Sequence, residues 1–161
     1  PRATSNILDS GAAFPNLEIK RVGGGTISLP DELEGSYGVV LFIAVIGEPI
    51  AASNDCLLED GKLTDEGIKV VAASVDSEEN AQKTLDDCGI NFPLGYGLDM
   101  KAVSALTGAF YEDRRQILHG TGWVLRPDGT IAVGVYSSGA IGRLVWQDVV
   151  ALVQFTKSKD K

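Results

Sequence analysis

Few residues in this chain could do covalent chemistry. It has two cysteines, Cys56 and Cys88, and one histidine, His119. A cysteine acts through its thiolate, which is both a nucleophile and a metal ligand, so thiol chemistry is the first class to weigh. Two cysteines do not make a disulfide scaffold in a domain able to build its own core. A single histidine excludes a zinc site of two cysteines and two histidines drawn from one chain. No calcium-loop spacing is visible, so no metal is expected. No Cys-x-x-Cys pair occurs, which excludes dithiol exchange through adjacent cysteines. Gly23-Gly24-Gly25 invites a phosphate-loop reading. It lacks the spacing, the Lys and the following helix that such a loop needs, and reads as a turn.

The elements that must position these thiols follow from patterning. The chain has 161 residues with 44% hydrophobic and 22% charged, the composition of one globular domain. Its formal charge of −8 repels phosphate backbones and anionic lipid, so neither nucleic acid nor membrane is an expected partner. The longest apolar run, Val39–Ile46, is far short of a bilayer span of about 20 residues. The first residues, PRATSNILDS, lack the apolar stretch of a secretory leader, and a cytoplasmic location is expected. Residues 1–15 read as an arm, 16–157 as a single domain and 158–161 as a tail. Leu17–Val22 and Thr26–Leu29 flank the glycines as a hairpin, and Pro30–Gly35 forms a helical turn. Val39–Ile46 and Ile68–Val75 are buried central strands, with a short helix between them inside Pro49–Asp60 that Gly61 interrupts. Asp76 reads as the N-cap of a helix over Ser77–Cys88, with Glu79 completing a capping-box pattern. Asp99 opens a helix with Met100, Val103 and Leu106 on one face and Gly108 after it. Trp123–Leu125 and Thr130–Tyr136 flank the Arg126-Pro127-Asp128-Gly129 turn. A last helix, Leu144–Phe155, turns Val145, Val149, Leu152 and Val153 inward.

Several of these segments together resemble the peroxiredoxin-like proteins of the alkyl hydroperoxide reductase and thiol-specific antioxidant family. The resemblance rests on Gly24–Leu29 (GGTISL), Val39–Phe42 (VVLF), Gly67–Val71 with Ala73–Asp76, Asn91–Leu94 (NFPL), Thr121–Gly129 (TGWVLRPDG) and Val135–Leu144 (VYSSGAIGRL). It implies an α/β thioredoxin-like fold, a central mixed sheet flanked by helices and preceded by an N-terminal hairpin. It also implies a peroxidase motif, Pro-x-x-x-(Thr/Ser)-x-x-Cys, which Pro49-Ile50-Ala51-Ala52-Ser53-Asn54-Asp55-Cys56 fits by spacing. In that register Cys56 sits in the first turn of a helix, where the helix dipole favours the thiolate. Ser53 caps the helix and offers its hydroxyl to the peroxide, and Pro49 shields the pocket; Cys88 is either the resolving cysteine, as the resemblance implies, or a core residue completing the apolar stripe of Ala81 and Leu85.

A second register is also open. Counted from Phe42, the family's cysteine falls on Ala51 or Ala52, and Glu48–Ala51 stands where the family has Thr-Pro-Val-Cys. The family's arginine, counted back from Trp123, falls on Gly120. Arg114, Arg115 and Arg126 are substitutes outside the motif, and His119 adjoins the vacant position. Two functions follow. One is a thiol peroxidase that reduces hydrogen peroxide or organic hydroperoxides through Cys56, without a cofactor and with a thiol reductant as partner. The other is a degenerate domain whose pocket binds a small molecule or carries out non-redox catalysis, with Glu48, Ser53, Asn54, Asp55 and His119 as its polar groups. The resemblance also makes a homodimer plausible.

Overall fold

A computed structural model of the chain describes residues 7–43, 62–88, 92–114, 116–138 and 144–159. The helix expected within Pro49–Asp60 lies outside these residues. The first hairpin forms as expected, β1 (Leu17–Arg21) against β2 (Thr26–Leu29), followed by a 3-10 turn over Asp31–Leu33. The aliphatic run becomes β3 (Gly38–Phe42), every residue of which is buried. A short helix α1 (Lys62–Asp65) leads to β4 (Lys69–Ala73), α2 (Glu78–Cys88) and β5 (Leu94–Tyr96). Helix α3 (Met100–Thr107) is followed by two short strands, β6 (Tyr111–Glu112) and β7 (Ile117–Leu118), which form a hairpin of their own. The hairpin β8 (Thr121–Leu125) with β9 (Ile131–Tyr136) and helix α4 (Trp146–Lys159) complete the order.

Seven strands make one mixed sheet in the order β2-β1-β5-β4-β3-β8-β9. β3, β4 and β5 run parallel, while β8 lies antiparallel to β3, with Phe42 opposite Thr121. Alternation along the central strands divides the core between the two faces of the sheet. Val40, Phe42, Val71, Trp123 and Leu125 face α3 and the N-terminal arm. Val39, Leu41, Val70, Val124 and Leu63 share the other face with Ala81 of α2 and Val149 and Val153 of α4. This is the expected thioredoxin-like layering.

Local chemistry corrects several details. The cap of α2 is Ser77, whose Oγ accepts the Asn80 N–H at 3.3 Å. Asp76 is buried one residue earlier, two positions before the first helical residue Glu78, and its carboxylate accepts from the Ser74 hydroxyl at 3.3 Å. Asp99 does cap α3, accepting from the backbone N–H groups of Lys101 and Ala102, both at 3.1 Å. The buried face of that helix is Met100, Val103, Ser104 and Thr107, and Leu106 is 44% exposed. At about 100° per residue Leu106 falls about 60° beyond Val103, outside the buried arc. Val145 is 36% exposed because it precedes the first helical residue of α4 and lies off its stripe.

Residues 7–15 of the arm are irregular yet docked. Gly11 N–H donates to Ile131 O at 2.8 Å, Ile131 N–H to Ala12 O at 2.8 Å and Phe14 N–H to Gly129 O at 3.0 Å. It thereby covers the start of β9, a sheet edge that would otherwise invite pairing. Gly108 ends α3 at φ 85°, and a Cβ there would stand 2.6 Å from Ile7 Cα, so glycine is required where the arm crosses.

Candidate active site

In sheets with parallel strands, ligands bind beyond the carboxyl ends of those strands. Here that edge is defined by the end of β3, the end of β4 and the start of β8. Phe42 lies between Ala73 and Thr121, and Ile43 N–H donates to Ala73 O at 2.9 Å. From Ile43 the chain passes into residues 44–61. Glu48, Pro49, Ala51, Ala52, Ser53, Asn54, Asp55 and Cys56 therefore lie outside the described residues, as do Arg115 and the side chain of Cys88.

The described residues bring a set of buried polar groups to this edge. They are Ser74 and Asp76 after β4, His119 and Thr121 at the entry to β8, and Ser137 after β9. Polar groups this deep are costly unless hydrogen-bonded, and their bonds fix the local backbone. His119 N–H donates to Phe110 O at 2.9 Å, Thr121 Oγ1 donates to His119 O at 3.0 Å, and Ser137 N–H donates to Gly120 O at 3.0 Å. After β4, Asp76 N–H donates to Ser74 Oγ at 3.2 Å and Gly97 N–H to Asp76 O at 2.8 Å.

The His119 side chain is 5% exposed, and its Nε2 lies 3.7 Å from Glu112 Oε2 on β6. Glu112 did not emerge from the sequence. Strands of two residues, Tyr111–Glu112 and Ile117–Leu118, are too short to show a period of two. Gly120, at the arginine position implied by the family resemblance, is buried between His119 and Thr121 and supplies no side chain. Arg126 is elsewhere. It follows the far end of β8, about 16 Å along the strand from Thr121, and its Nη1 donates to Ile131 O at 2.7 Å within the turn. Arg114 is exposed at the tip of the β6–β7 hairpin.

Beneath this edge lies an aromatic cluster. Trp123 meets Phe14, Phe42 and Tyr136 edge-on, with ring centroids 5.2, 4.9 and 5.7 Å apart. Its Nε1–H donates to Tyr136 Oη at 2.8 Å, and that hydroxyl donates in turn to Leu8 O at 2.7 Å. Burial pushes the Tyr136 hydroxyl above the ordinary tyrosine value. Among the described residues, no group of three or more His, Cys, Asp or Glu side chains could hold a metal ion, and no helix is long and apolar enough to cross a membrane.

Fold and sheet edge together define a thioredoxin-like domain of the peroxiredoxin kind. The sequence model of the AhpC/TSA family matches residues 10–133, and the chain belongs to that family. Among solved structures, a peroxiredoxin-like protein from Aquifex aeolicus is similar with a TM-score of 0.80 at 13% identity, covering 95% of this chain and 90% of that one. Peroxidoxin BcpB from Mycobacterium tuberculosis gives 0.77 at 15% identity, with 92% and 97% covered. A yeast mitochondrial 1-Cys peroxiredoxin gives 0.76 at 18% identity, with 96% and 78% covered. These likenesses concern the fold. No curated protein matches the sequence.

Proposed function

We propose that this chain is a thiol peroxidase acting through Cys56. The observation that carries the reading is membership of the AhpC/TSA family, combined with a central strand, β3, that leads directly into the segment holding Pro49-x-x-x-Ser53-x-x-Cys56. The Cys56 thiolate attacks the terminal oxygen of a hydroperoxide. The O–O bond breaks as the S–O bond forms, sulfur loses two electrons, and the leaving alkoxide or hydroxide takes up a proton. Ser53 orients the peroxide and Pro49 shields the thiolate. Cys88 or an external thiol then attacks the sulfenic sulfur, giving a disulfide and water, and a thiol reductant restores the enzyme.

A second reading has one observation in its favour: Gly120 puts no side chain at the entry to β8, where family resemblance places an arginine. In that reading the edge lined by Ser74, Asp76, Thr121 and Ser137 binds a small molecule without redox turnover.

One experiment separates them. With dithiothreitol as reductant, the protein should consume hydrogen peroxide or cumene hydroperoxide over many turnovers, and Cys56→Ser should abolish that consumption. Consumption unaffected by Cys56→Ser would overturn the Cys56 reading. No consumption by the wild-type protein would favour the second reading.

A further inference from the structure

We draw no further inference here: the strongest candidate, the apolar groove between β1 and α3 that Leu17, Leu98 and Val103 line and the exposed Leu106 borders, is an unpartnered face, and nothing in the structure shows what covers it.

Discussion

Tyr136→Phe tests how the aromatic cluster holds the floor of the site. The tyrosine hydroxyl accepts the Trp123 indole N–H at 2.8 Å and donates to Leu8 O at 2.7 Å, with Thr107 O at 3.2 Å. Phenylalanine keeps the ring and its edge-on packing at 5.7 Å from Trp123 but removes the oxygen. Trp123 has no exposed surface, so water cannot replace the lost acceptor. A buried donor left without a partner costs about 1–3 kcal/mol. Leu8 is half-buried, so its carbonyl can turn to solvent and adds little. We expect a loss of about 2 kcal/mol, read as a lower urea midpoint with an unchanged denaturant slope. For a chain of this length that corresponds to a fall in Tm of about 4–8 °C. The arm should also loosen, with faster amide exchange at Gly11 and Phe14, whose N–H groups bond to Ile131 and Gly129. A loss below about 0.5 kcal/mol, with unchanged exchange in the arm, would refute the claim that this hydroxyl ties core to arm.

Gly108→Ala should cost about 2–4 kcal/mol in urea denaturation, because it combines a left-handed backbone with a Cβ 2.6 Å from Ile7 Cα. Asp99→Ala should cost about 1 kcal/mol by the same assay, through loss of the α3 cap. Hydrogen bonds from the Thr130 hydroxyl and then its backbone hold the Asp128 carboxyl below its ordinary value. A depressed carboxyl stabilises the fold above its unfolded pKa, and that contribution is lost as pH falls through the lower folded value. Asp128→Asn should therefore show a shallower decline in urea midpoint between neutral pH and about pH 2, and identical slopes would contradict the assignment.

The strands were legible wherever composition and period agreed. Val39–Phe42 reads as a buried central strand because it is continuous and β-branched, and both hairpins announce themselves through Gly23–Gly25 and Arg126–Gly129. Errors arose where one residue's position on a surface mattered. Leu106 is apolar and nearly in register but just outside the buried arc, while Asp76 looks like a cap yet is drawn to Ser74. The links that shape the candidate site join residues far apart in sequence. Tyr136 reaches Leu8 across 128 positions, and no local pattern encodes that bond. His119 was visible as a lone imidazole, but its partner Glu112 depends on a hairpin of two-residue strands that leaves no periodic trace.

The central claim is that Cys56 is a peroxidatic thiol. It is tested most directly by mixing the reduced protein with one equivalent of hydrogen peroxide, quenching within seconds and mapping oxidation by peptide mass. The account predicts rapid oxidation at Cys56, as a trapped sulfenic acid or as a disulfide with Cys88 or an added thiol. Cys56 remaining a free thiol over minutes, while peroxide is still present, would contradict it.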